Sequence, residues 1–215
     1  ALNSAWAIPL DTLEALIDIS LELGANFNQE FRPEALKEDD YVFEALTRLH
    51  ARACQIAGEA YVLLRSGFAD GAMARWRTLH EVSVTALFIR QAGRDVAERY
   101  LAHAHVTAYR EAATYQKHCE LLGYEPLADE YMACLKELSD GACARFDKRF
   151  ARDYGWVPLQ YRNAKRDEVR FVDIEEQVDL EKMKPFFMMA NSRIHAGSDA
   201  IFYSLGNPPF SPDTL

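Results

Sequence analysis

Between Val42 and Leu64 the apolar residues step by three and four along the chain: Val42/Phe43, Leu46, Leu49, Ala53, Ile56/Ala57, Ala60 and Leu63/Leu64. That spacing predicts a long amphipathic helix with one buried stripe. Asp39-Asp40 offers its N-cap, and Gly67 a residue suited to end it. A second pattern precedes it. Leu13, Leu16, Ile17, Ile19, Leu21 and Leu23 predict a helix over residues 10–28, followed by a connection from Gln29 to Asp39 that contains Pro33. A third helix is capped by Asp70 and runs to about Ala92, where Gly93 stops it. It is apolar on more than one face, with Trp76, Leu79, Val82, Ala86 and Leu87 on one and Met73, Val84 and Phe88 on another. Such a helix belongs in the middle of a bundle. The fourth runs from near Asp95 to Leu122, with Ala97, Leu101, Ala104, Ala108, Ala112, Tyr115 and Cys119 inward and Gly123 as its stop. The short links at Gly67 and Gly93 make neighbouring helices antiparallel.

Beyond Gly123 the pattern weakens. Pro126 to Ser139 reads as a shorter helix, broken by Asp140-Gly141 and resumed through Phe150. The segment from Asp153 to Phe171, with Gly155 and Pro158, is irregular. "DIEEQV" supplies one or two helical turns. Asp179 is expected to cap a last long helix reaching Leu205, which starts or kinks at Pro185. Residues 206–215 are Pro-rich and should leave the bundle. The fold class is therefore all-α: a single helical domain over residues 1–215, with a core bundle at 40–205. It is an up-down bundle of four to five long helices with an irregular insert before the last one.

One stripe of the third helix breaks the pattern. Met73, Arg77, Glu81, Val84 and Phe88 are apolar at both ends and charged in the middle. Arg77 and Glu81, four apart, meet on a helix surface in the weaker order for an exposed pair. Placed inward, they need to be paired and hydrogen-bonded. The pair is either a register lock between helices or part of a polar site, and His80 sits beside it. A second polar constellation lies in "ANSRIHAGSDA". On a helix, Asn191, His195, Ser198 and Asp199 share one face, with Ser192 alongside. A histidine oriented by such neighbours can serve as a general acid or base, and equally can be a satisfied residue at a helix end.

Composition narrows the classes. The net charge of −9 leaves no global basic footprint for nucleic acid. A local exception runs from Arg145 to Arg170, where eight basic residues face four acids among Phe146, Phe150, Tyr154, Trp156 and Tyr161. Basic and aromatic residues interleaved in this way suit RNA, and also suit an ordinary solvated face. No apolar run reaches membrane-spanning length. Four cysteines with no C-x-x-C spacing read as reduced thiols of a cytoplasmic protein. His103 and His105 point to different sides of their helix, and no Gly-rich phosphate loop or H-E-x-x-H occurs, so no metal or cofactor is expected.

The spaced signatures "GFADGAMARWRTLHE" and "SRIHAGSDA", with "ERYLAHA" after the first and Trp156 before the second, resemble a bacterial domain-of-unknown-function family, number 5677. The resemblance covers roughly Phe43 to Gly206. In that family an Arg-x-x-x-Glu lies on an early long helix and a Ser-x-x-His on the last one, matched here by Arg77, Glu81, Ser192 and His195. The family is similar, more distantly, to HEPN helical bundles (the higher-eukaryote and prokaryote nucleotide-binding domain). Many of these are RNA-cleaving toxins or phage-defence effectors, often dimeric. Their motif has an Arg four to six residues before a His; here those positions hold Met188, Met189 and Ala190. The resemblance thus implies an enzyme acting on RNA or a nucleotide, with Arg77 supplying the cation from the neighbouring helix. His195 would be the acid or base, Glu81 would orient one of them, and Asn191 would hold substrate. Ser192, His80 and Trp156 are the further binding candidates. The competing expectation is a non-catalytic module that binds a partner protein or a second copy, with Arg77–Glu81 as a lock.

Overall fold

In the computed structural model, residues 5–163, 165 and 167–195 are described. Among them are seven α-helices and two 3-10 turns, and the fold is all-α as expected. The helices are α1 (Ala7–Glu38), α2 (Tyr41–Arg65), α3 (Ala69–Ala92), α4 (Arg94–Leu122), α5 (Asp129–Arg145), α6 (Phe171–Gln177) and α7 (Lys184–Ile194). Helices α2, α3 and α4 form the centre. α1 lies along α2, α5 along α4, and α6 and α7 cover α3.

Local chemistry accounts for most boundaries. The Asp40 carboxylate accepts the Phe43 N–H at 3.0 Å and caps α2. Gly93, at φ 82°, is the whole connection between α3 and α4. Gly123, at φ 73°, ends α4 in a left-handed turn that few other residues adopt.

Four boundaries differ from expectation. α1 does not stop near Phe27 but continues through Pro33 to Glu38. Pro33 removes one backbone donor, but it lies on an exposed face where water can serve the freed carbonyl. The α1–α2 pair also secures that stretch, since Arg32 lies on the Phe43 ring and 3.0 Å from Glu44. α3 begins after Phe68, two residues earlier than an Asp70 cap requires, so Asp70 sits in its first turn. α5 runs unbroken through Asp140-Gly141. A helical glycine costs about 1 kcal/mol relative to alanine, and burial of Ser139 and Ala142 offsets it. Asp179 does not cap a long last helix. It takes a left-handed φ of 56°, a 3-10 turn follows, and α7 starts with Pro185 in its first turn. α7 ends at Ile194. Ser198, Asp199, the rest of the expected helix to Leu205, and the 206–215 tail lie outside the described residues.

The core joins Ala45 and Leu49 of α2, Val84, Phe88 and Ile89 of α3, and Val96, Ala97 and Val106 of α4. Phe150, Trp156, Val157 and Ile174 close it from the irregular segment and α6. That segment is pinned by Arg99 of α4. Its guanidinium donates to the carbonyls of Trp156 and Gly155, each at 2.9 Å, and to Asp147 at 3.1 Å. It also lies over the Phe146 and Phe150 rings. The chain packs so closely there that a Cβ on Gly155 would sit 2.3 Å from the Phe150 carbonyl oxygen.

Candidate functional site

α3 has two environments. Its C-terminal half enters the apolar core, whereas its N-terminal half meets α6 and α7 in an aromatic and polar seam. Trp76 packs edge-on against Phe186. His80 lies between the Trp76, Phe171 and Phe187 rings, with centroids 5.5, 5.9 and 5.6 Å away.

Arg77 and Glu81 form the expected ion pair at 2.9 Å, but their side chains are 28% and 34% exposed. They sit at the rim of the seam instead of beneath it. The Arg77 guanidinium lies 4.9 Å over the Phe187 ring, so it joins α3 to α7 while bound to Glu81. Tyr154 lies within their field. Burial first, then the charges of Glu81 and Asp153, push its phenol up to about 12, with Arg77 opposing.

The deeply buried pair on α3 is a different one. His80 Nε2 lies 2.7 Å from Glu175 Oε1 of α6, with both side chains at 5% exposure or less. Sequence reasoning missed Glu175. The only available signal was an acid within the short apolar helix "FVDIEEQ", and periodicity over two turns does not say which acid turns inward. His80, a binding candidate, is instead enclosed by this pair and its three rings.

Phe187 and Asn191 of α7, and His195 just past its end, step by four. Phe187 is covered by Arg77. Asn191 Oδ1 is buried without a hydrogen-bond partner, and Arg77 Nε is likewise buried and unpartnered. His195 is exposed and follows the helix in extended conformation, its backbone N–H donating to the Asn191 carbonyl at 3.0 Å. His195 lies eight positions beyond Phe187, a rise of about 12 Å along the helix axis. The structure thus gathers Arg77, Glu81 and Phe187 at one place, puts Asn191 one turn along and leaves His195 near the open end. No hydrogen bond or ion pair joins the His195 side chain to Arg77, Glu81 or Asn191 among the described residues. The Ser192 hydroxyl donates to the Met189 carbonyl at 2.9 Å.

Trp156 departs from its expected ligand-facing role. It is a core residue, packed edge-on against Phe88 and Tyr100. Three arginines of the basic stretch around it are held in ion pairs. Arg145 pairs with Glu98, Arg152 and Arg170 with Glu168, and neighbouring Arg110 with Asp153. A cavity of about 520 Å³ lies among these groups, lined by arginines and by Asp147, Asp153, Asp167 and Glu168 in equal number. Its walls balance in charge, which weakens any attraction for a polyanion.

Cys54 and Cys119 are buried, Cys143 is half-buried and Cys134 exposed, all as free thiols. Burial pushes the Cys54 and Cys143 thiols up, away from the reactive thiolate. Among the described residues no three His, Cys, Asp or Glu converge as metal ligands, and no helix is long and apolar enough to cross a membrane.

No curated protein and no solved structure matches the chain. A family match does cover most of it, from Phe43 through α2–α7 to residue 211, leaving α1 outside, and includes Arg77, Glu81, Asn191 and His195. The chain belongs to the family of unknown function DUF5677.

Proposed function

We propose that the chain is a HEPN-like helical protein acting on RNA or a nucleotide at the α3–α7 seam, in the manner of a toxin or defence hydrolase. The observation that carries this reading is the pair of buried, unpartnered polar atoms, Arg77 Nε and Asn191 Oδ1. Buried polar groups are nearly always satisfied, so one donor and one acceptor left open along the same seam suit a polar ligand. The Phe187–Asn191–His195 stripe supports the same reading, because it leads from the Arg77 guanidinium outward to solvent.

In this reading Arg77, steadied by Glu81, offsets charge on the phosphoryl oxygens, and Asn191 holds the substrate. His195 takes the 2′-hydroxyl proton. The 2′-oxygen bonds to the adjacent phosphorus, the bond from phosphorus to the 5′-oxygen breaks, and that leaving oxygen takes up a proton.

A second reading has its own observation. Arg77 is engaged by both Glu81 and the Phe187 ring, as a lock between α3 and α7 would be. The protein would then be a non-catalytic module for a partner protein or a second copy.

One experiment separates the two. Purified protein is incubated with single-stranded RNA and with nucleotides, and wild type is compared with His195→Ala and Arg77→Ala, with a thermal melt of each. Cleavage lost in His195→Ala at unchanged melting temperature supports the enzyme. Absence of cleavage by wild type, with a lowered melting temperature in Arg77→Ala, sinks it and supports the lock.

A further inference from the structure

Helix α1 is 32 residues long, about 48 Å, and Leu10 is its one buried residue. It packs on α2 along one side. Leu13, Ile17, Ser20, Gly24 and Asn28, stepping by three and four, are half-buried there. A second stripe is apolar and exposed: Ile8, Leu16, Ile19, Leu23, Phe27 and Phe31, each between 41% and 80% exposed. Leu16, Ile19 and Leu23 turn away from α2, whereas Phe27 also stacks on Phe43 at the edge of the α1–α2 seam. Contiguous apolar surface on this scale marks an interaction site. It borders a groove of about 860 Å³ between α1 and α2 that shares Leu23 and Phe27.

The order of residues along the stripe selects the occupant. The spacing is nearly the same read from either end, with its middle between Ile19 and Ser20. A two-fold axis at that point brings two α1 helices together antiparallel. Ile8 then faces the partner's Phe31, Thr12 the partner's Phe27, and Leu16 the partner's Leu23. A surface that is complementary to itself under a two-fold is the requirement for an isologous dimer.

Charge points the same way. α1 carries seven acids and two bases. In the antiparallel register Glu14 stands level with Ala25, Asp18 with Leu21 and Glu30 with Pro9, and no acid stands level with an acid. A parallel, in-register pair would set every acid against its own copy, which costs stability.

Area is adequate as well. The exposed parts of the six side chains amount to about three and a half whole residues, or roughly 600 Å² at 150–250 Å² for a large side chain. Thr12, Ala15, Asn26 and Glu30 flank the stripe and bring it near the roughly 800 Å² per partner of a stable interface. We therefore infer that α1 is a dimerisation helix, and that two copies of this chain pair antiparallel through Leu16, Ile19 and Leu23.

The test uses the full chain. Sedimentation equilibrium should give twice the 24.5 kDa chain mass, and Leu16→Glu/Leu23→Glu should give the single mass with unchanged helical circular dichroism, since both side chains are exposed. Register is read by cysteine crosslinking in a Cys134→Ser background, which removes the exposed native thiol. Ile19→Cys, beside the two-fold, should oxidise to a covalent dimer, whereas Ile8→Cys alone should not. A chain that remains monomeric overturns the inference, whether or not a basic peptide or a phosphatidylcholine vesicle then binds it. A dimer that survives Leu16→Glu/Leu23→Glu overturns it, and so does preferential crosslinking of Ile8→Cys.

Discussion

His80 Nε2 and Glu175 Oε1 meet at 2.7 Å inside a ring of Trp76, Phe171 and Phe187, and this contact fastens α6 to α3. Removing one partner leaves the other buried without a hydrogen bond. Glu175→Ala is expected to lower stability by about 3 kcal/mol. Glu175→Gln retains an acceptor oxygen and should cost about half as much. Urea denaturation of the three proteins checks both values. Equal losses for Ala and Gln would mean that packing, and not the hydrogen bond, holds the helix.

Arg77 makes a prediction across helices. Its contact with Phe187 is a cation over an aromatic face at a partly exposed site, worth about 0.5–1 kcal/mol. A double-mutant cycle with Arg77→Met and Phe187→Leu should return a coupling energy of that size. Arg77→Lys should recover little of it, because a lysine lacks the planar group that stacks. Zero coupling would detach Arg77 from α7.

His103 gives the fold an acid-side sensitivity. Burial, with a contribution from Arg110, holds its imidazole below the ordinary 6.5, against the pull of its 2.8 Å bond to the Arg152 carbonyl. The folded state therefore binds a proton less readily than the unfolded chain. This contribution is whole above the unfolded value near 6.5 and declines as pH falls below it. Wild type should lose stability from about pH 6.5 downward, as followed by denaturant midpoints. His103→Gln should flatten that part of the curve. A wild-type curve flat between pH 7 and 5 would contradict the assignment.

Gly155 is required by space. A methyl group there would meet the carbonyl oxygens of Phe150 and Arg149 at 2.3 and 2.5 Å, and backbone cannot swing aside as a side chain can. Gly155→Ala is expected to cost more than about 2 kcal/mol. Gly58→Ala is the control, because a Cβ there meets nothing within 4 Å. A melting temperature for Gly155→Ala equal to wild type would refute the packing described.

The all-α class and the extents of α2, α3 and α4 were legible because their periodicity runs for many turns and ends in glycines. Pro33 and Asp140-Gly141 misled because a breaker's local cost of a few kcal/mol is outweighed when the flanking residues pack. The Arg77–Glu81 pair was legible from spacing, but its depth was not. Its stripe is half core and half rim, since different elements cover the two ends of α3. Glu175 was invisible because its partner lies 95 residues away. His195 was expected inside a helix that stops at Ile194.

The hold of Arg99 on the irregular segment after α5 has a consequence for proteolysis. Lys148, Arg149 and Arg152 are all trypsin cleavage points, on a stretch with little regular secondary structure. A protease must draw such a strand out to full extension before cutting it. While one guanidinium grips the carbonyls of Gly155 and Trp156 and the flanking phenylalanines pack on it, the strand stays folded back. Arg99→Ala should turn this resistant segment into the first place the chain is cut.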